Sequence, residues 1–187
     1  EALEKLQHGV KVLIREGSAA KNFETLIPLL KDYPEQIMFC CDDKHPDNLI
    51  ESHINNHVKR ALKHGHDLYE VLRAASYNVV NHYNLPVGLL QEGDNADFIE
   101  IDNLKDFNIL KTFINGSLVA ENGKSFITTE KAPIVNNFNC SLKQTSDFKL
   151  QNESDRIRVI ECLDGQLITN ELCVNSFSVD GLEESNK

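Results

Sequence analysis

The sequence predicts an α/β protein in which parallel strand–helix units come first and a mostly β region follows. Three observations carry this. Apolar runs at residues 10–14 and 36–41 read as buried strands, separated by one helix-length segment. Residues 46–83 carry apolar positions at helical spacing. Beyond Gly88 the pattern changes to short apolar runs divided by Asn115-Gly116, Asn122-Gly123 and Asp164-Gly165, which are hairpin dipeptides.

In order, Ala2, Leu3 and Leu6 mark one face of a short helix that Gly9 ends. The strand at 10–14 runs into Arg15-Glu16-Gly17-Ser18, and a helix over about 22–30 follows, shortened or kinked by Pro28. Tyr33-Pro34 turns the chain into the second strand, whose end carries Asp42 and Asp43. A strand–helix–strand unit of this spacing is parallel, so Glu16 and Asp42 fall on one sheet edge. Pro46 opens a helix predicted to run to Lys63, with Leu49, Ile50, Ile54, Val58, Ala61 and Leu62 on its apolar stripe. His53 and His57, four apart on one face, have a spacing that suits a metal. His57 is nonetheless expected at the solvated surface, with no carboxylate placed to orient it.

Asp67 and Glu70 resemble a capping box for a helix bearing Leu68, Val71, Leu72 and Ala75, and residues 78–83 add a shorter helical turn. Strands are expected at 96–101, 107–114, 118–120, 156–163, 166–169 and 172–179, with a polar, asparagine-rich linker between 129 and 155 and a disordered tail at 183–187. The domain boundaries expected are 1–87, 88–130, 131–155 and 156–187.

Composition excludes several classes. The net charge is −10 and the basic residues are scattered, so no basic stripe exists to replace the counterions of a nucleic acid or to bind an anionic membrane. No apolar run reaches membrane-spanning length, and no signal peptide opens the chain. Five cysteines, Cys40 and Cys41 adjacent, do not make a disulfide framework; they fit a reducing cytoplasm, as small hydrophobes. The chain begins at Glu1 as if inside a helix, which reads as a piece of something longer.

The stretch that carries chemistry is Phe39-Cys40-Cys41-Asp42-Asp43-Lys44-His45-Pro46. Adjacent carboxylates at the end of a buried strand repel each other unless a cation or strong donors hold them. Two readings stand on spacing alone. Either an ion satisfies the pair, or Asp43 caps a turn while His45 lies in solvent.

Taken together, the motifs resemble the adenine deaminase family of the amidohydrolase superfamily. The matching pieces are the run from Gly9 to Ser18, Phe39 to Asp47, His53-Ile54, Ala74-Ala75-Ser76-Tyr77-Asn78 and Gly93-Asp94-Asn95-Ala96-Asp97. Asn115-Gly116 with Leu118-Val119-Ala120, Arg158-Val159-Ile160 and the run from Gly165 to Thr169 complete the set. The arginine-glutamate-glycine-serine and aspartate-aspartate-x-histidine-proline strings are specific to that family; the alanine-aspartate turn alone is common to amidohydrolases.

The resemblance implies the last β/α units of a metal-dependent (β/α)8 barrel, truncated, followed by a small β-domain and the start of a further domain. The strands before Arg15 and Asp42 would be the seventh and eighth of the barrel. The implied reaction converts adenine and water to hypoxanthine and ammonia. Asp42 would be the catalytic aspartate and metal ligand, taking a proton from metal-bound water. Glu16, Ser18, Asp43 and His45 would lie on the substrate side, with Ser18 also a candidate helix cap. The implied cofactor is a divalent metal, manganese or iron, with zinc an option. The implied partners are a purine and, in the full-length enzyme, further copies of the chain.

Cys41 stands where that family usually has threonine, and Ser52 where it usually has glycine. The histidine-x-histidine and the other metal ligands of the superfamily are not among these residues. The chain alone is therefore expected neither to hold metal tightly nor to turn over adenine. Two alternatives are a sister amidohydrolase acting on a cyclic amide or another ring amine, and a non-catalytic module pairing through an open sheet edge.

Overall fold

Two four-residue strands, β1 (Val12–Arg15) and β2 (Ile37–Cys40), pair in parallel with Val12 opposite Ile37 and Arg15 opposite Cys40. The structure is a computed structural model and describes residues 1–148 and 154–175. It divides into two compact units, Glu1–Thr128 and Thr129–Lys187.

In the first unit, α1 (Ala2–Gln7) buries Leu6 and leads into β1. The crossover to β2 contains α2 (Phe23–Leu26), which tightens into a 3₁₀ turn over Ile27–Lys31. Pro28 has no N–H to donate to a carbonyl four residues back, so the shorter repeat takes over where a longer helix was expected. Phe23, Ile27 and Leu30 from this crossover pack with Ile14, Ile37 and Phe39 of the strands. Burying each such side chain is worth about 1.5–3 kcal/mol.

The helix predicted over 46–63 is two helices, α3 (Pro46–Glu51) and α4 (Ile54–Lys63). Ser52 is fully extended at the break, and Lys44 Nζ donates to its carbonyl at 2.7 Å, giving that oxygen a partner outside the helix. Apolar periodicity cannot register such a break, because both segments keep the same stripe. They differ in burial: α3 has no buried residue and leaves Ile50 88% exposed, whereas α4 buries His57, Val58 and Ala61.

Asp67 caps α5 (Leu68–Leu72), accepting from the N–H groups of Tyr69 and Glu70. A π-helical turn over Arg73–Tyr77 then joins α5 to α6 (Asn78–Tyr83). Asn78 is buried there, and its Nδ2 donates to the carbonyls of Pro34 at 2.7 Å and Ile37 at 2.8 Å. These bonds tie the helical region to the entry of β2.

An antiparallel sheet follows in the order β3 (Phe98–Ile101), β4 (Ile109–Ile114), β5 (Ser117–Glu121) and β6 (Lys124–Ser125). Asn115 and Gly116 both take positive φ, as do Asn122 and Gly123, which is what two-residue hairpins require. Asp97 binds two segments at once, accepting from Gly88 N–H and Asn115 N–H, each at 2.8 Å.

The second unit contains a hairpin of β7 (Arg156–Cys162) and β8 (Thr169–Asn175). The strands expected at 166–169 and 172–179 are thus one strand beginning at Thr169, set by the pairing of Cys162 with Thr169. Positions 176–179 and the tail at 183–187 lie outside the described residues, as do 149–153 of the predicted linker.

The expectation of a solvated His57 is overturned. The residue is 1% exposed, with Phe23 and Phe39 rings 5.8 and 5.5 Å from its own, and neither ring nitrogen makes a hydrogen bond of good geometry. Burial pushes its pKa down to about 4, against the upward pull of Glu16 and the His53 carbonyl. The imidazole therefore packs as a neutral aromatic disc. An unfolded histidine takes up a proton near pH 6.5, where the folded one does not. Stability should thus be full above about pH 6.5 and fall as pH drops toward 4, by about 3 kcal/mol in all. Urea denaturation across that range should show this slope in the native chain, and His57→Leu should remove most of it, leaving the part due to His53 and His66, whose pKa values burial also lowers.

Candidate functional site

Parallel pairing delivers two strand ends to one edge. β1 runs into Glu16-Gly17-Ser18 and β2 into Cys41-Asp42-Asp43, and Glu16 N–H still donates to the Cys40 carbonyl at 3.3 Å. The chain reverses at Asp42, which takes φ +48°. Aspartate enters that left-handed region more readily than most residues. Lys44 N–H closes the turn onto the Cys41 carbonyl at 3.2 Å.

Asp42 faces solvent and one cation. Its Oδ2 lies 3.5 Å from Arg15 Nη1, and the two side chains are 38% and 35% exposed. An ion pair this open to water contributes little to stability, on the order of 0–1 kcal/mol. Asp43 is held more firmly. Ser18 N–H donates to Asp43 Oδ1 at 3.0 Å, and Ser18 Oγ donates to the Asp43 carbonyl at 2.7 Å. The loops touch so closely that a Cβ at Gly17 would overlap Asp43 Oδ1 and approach Asp42 Oδ2 to 3.1 Å. Any side chain there would have to displace the Asp43 carboxylate from the loop. Cys41 is buried behind this edge, and burial pushes its thiol up, so it packs as a protonated small hydrophobe.

Glu16 points into a different set of contacts. Its Oε2 lies 2.6 Å from Arg60 Nη1 on α4, and its Oε1 accepts from Phe23 N–H at 3.2 Å. The Arg60 guanidinium lies 3.9 Å over the Phe23 ring, and its Nη2 reaches Glu24 Oε1 at 2.6 Å. That hydrogen bond, first among several causes, holds the Glu24 carboxyl below the usual range. His45 occupies the N-cap position of α3 and is exposed, without its ring capping the helix.

The structure therefore brings Glu16, Ser18, Asp42 and Asp43 to one edge, with His45 at the start of the helix that follows. Sequence reasoning passed over Arg15 and Arg60. Arg60 sits three residues after His57, on the same side of α4, but its partners lie 44 and 36 positions away, beyond any local pattern. Chemically the edge offers an exposed carboxylate at Asp42 beside a carboxylate already braced by donors. Among the described residues no three His, Cys, Asp or Glu side chains converge on a point where a metal ion could sit. One carboxylate facing an arginine does not by itself hold a divalent ion against water, so these residues are not a metal centre on their own.

Comparison with known proteins matches this frame. The amidohydrolase family profile covers residues 3–119. An adenine deaminase of Salinibacter ruber is 49% identical over 97% of this chain, and one of Sulfurovum sp. is 51% identical over 91%. A third, from Methanosarcina mazei, is 49% identical over 91%. The chain spans only about a third of the length of these relatives, 33%, 32% and 33% respectively. Among solved structures, a β-aspartyl dipeptidase of Fervidobacterium islandicum AW-1 aligns with TM-score 0.55 over 69% of this chain and 38% of its own, at 17% identity, a likeness of fold. With the strand-end aspartates, the parallel β/α frame and a family match over most of its length, the chain belongs to the amidohydrolase family.

Proposed function

We propose that this chain is the part of an adenine deaminase that carries the proton-transferring carboxylate, Asp42, and the loops that place it. The observation that supports this most is identity near one half to three proteins named adenine deaminase, each across more than nine-tenths of the chain. On this reading β1 and β2 are the seventh and eighth strands of a (β/α)8 barrel. Residues 88–130 form its small β-domain and 156–187 open a further one.

Adenine and water give hypoxanthine and ammonia. The leaving ammonia needs a proton that the attacking water must lose, and one carboxylate can accept it and hand it on. Asp42 suits that task because it is half-open and on a strand end. Ser18, Asp43 and His45 line the substrate side of the same edge. Asp42 would also supply one carboxylate toward a divalent ion, manganese or iron, whose remaining ligands would belong to other parts of a full-length protein; such an ion would make hydroxide available near neutral pH. The odd cysteine count, with Cys40 and Cys41 adjacent at a strand end, supports a cytoplasmic setting, and the relatives' name supports a small purine as substrate.

The test is turnover by the full-length protein, read as ammonia release from adenine and other aminopurines and as ring opening of hydantoins, which releases no ammonia. Adenine should be the preferred substrate, and Asp42→Asn should cut kcat by about 10²–10⁴ with unchanged circular dichroism. Preference for a hydantoin or another ring amine would refute the assignment. Gly17→Ala, which pushes Asp43 and Asp42 away from the loop, should lower kcat by roughly tenfold or more.

A further inference from the structure

The Asp42 loop does not stand alone; a chain of contacts runs from it to α4. α4 is seated by His57, Val58 and Ala61, all buried, so Arg60 projects from a fixed base. Three contacts restrain its guanidinium: Glu16 and Glu24 at 2.6 Å each and the Phe23 ring at 3.9 Å. Glu16 in turn has both oxygens engaged, and its side chain is 17% exposed. The loop that Glu16 begins is closed on itself: Gly17 N–H donates to the Ala20 carbonyl at 3.2 Å and Arg15 N–H to Asn22 Oδ1 at 2.8 Å. From that loop Ser18 grips Asp43 twice, by its amide and its hydroxyl.

We propose that Arg60 is a positioning residue for Asp42, acting through Glu16 and the Ser18–Asp43 link. This rests on the reading of Asp42 as the proton-transfer group. Without Arg60, the Glu16 carboxylate is left half-buried with no countercharge and only the Phe23 N–H as donor, a state relieved by swinging toward water and taking the loop with it. The Ser18 grip on Asp43 then slackens, and Asp42 loses its setting relative to a bound substrate. Displacements of about 1 Å at a reacting group cost on the order of 10²-fold in rate.

The experiment uses the full-length protein supplied with manganese, comparing wild type, Arg60→Met, Arg60→Lys, Ser18→Ala and the Arg60→Met/Ser18→Ala double variant on adenine. Arg60→Met should lower kcat roughly 10- to 100-fold while KM stays within about twofold, and Arg60→Lys, which keeps the charge facing Glu16, should recover part of the loss. In kcat, the double variant should be no worse than Arg60→Met alone, since Arg60 and the Ser18 hydroxyl act on one path, whereas a direct substrate contact of Ser18 reads in KM. Should Arg60→Met not fold, the same cycle run with Arg60→Lys and Ser18→Ala carries the comparison. Losses confined to KM, multiplicative losses in the double variant, or a folded Arg60→Met with wild-type kcat would each overturn the proposal. Wild-type protein without adenine turnover would overturn the underlying deaminase reading as well, which separates the two failures.

Discussion

The parallel ladder between β1 and β2 is the constraint from which the candidate site follows. Strands that run the same way end at the same edge, so residues far apart in sequence leave the ladder side by side. Arg15 opposite Cys40 is the last paired step, and one residue later the backbone bond from Glu16 to Cys40 carries the alignment into the loops. A register slip of one residue would turn Ile14 out of the core and separate Ser18 from Asp43. The core and the candidate site are therefore specified by the same few hydrogen bonds.

Two buried polar residues show how differently the interior treats such groups. Asn78 meets two backbone carbonyls at the entry of β2, and so fastens the π-helical turn to the sheet. His57 meets aromatic rings and no hydrogen-bonding partner of good geometry. Its neutral ring completes the packing around Phe23, and the adjacent cation, Arg60, covers that same phenyl ring. An aromatic cluster and an ion-pair network thus share one boundary behind the strand-end loops.

Membership in the amidohydrolase family accounts for the frame without requiring that these residues form a whole site. The dipeptidase likeness concerns fold alone, at 17% identity. The deaminase likeness is closer in sequence and covers about a third of each relative. On the proposed reading, Asp42 is one carboxylate of a larger constellation, and the loops around it fix its place.

The sequence by itself determined both strands of the parallel pair, the hairpins at Asn115-Gly116 and Asn122-Gly123, and the capping of α5 by Asp67. Each rests on local chemistry: short apolar runs, residues that tolerate positive φ, a carboxylate next to free amides. The arrival of Glu16 and Asp42 at one sheet edge was legible from the strand–helix–strand spacing. Tertiary structure decided the rest. Whether the helix after Pro46 breaks at Ser52 depends on Lys44 reaching its carbonyl, and whether His57 is dry depends on Phe23 and Phe39 arriving from elsewhere. Arg60 finds Glu16 across 44 positions of chain. Periodicity reports which side of an element is apolar, but not what will be packed against it, and these partners exist only once the chain has folded.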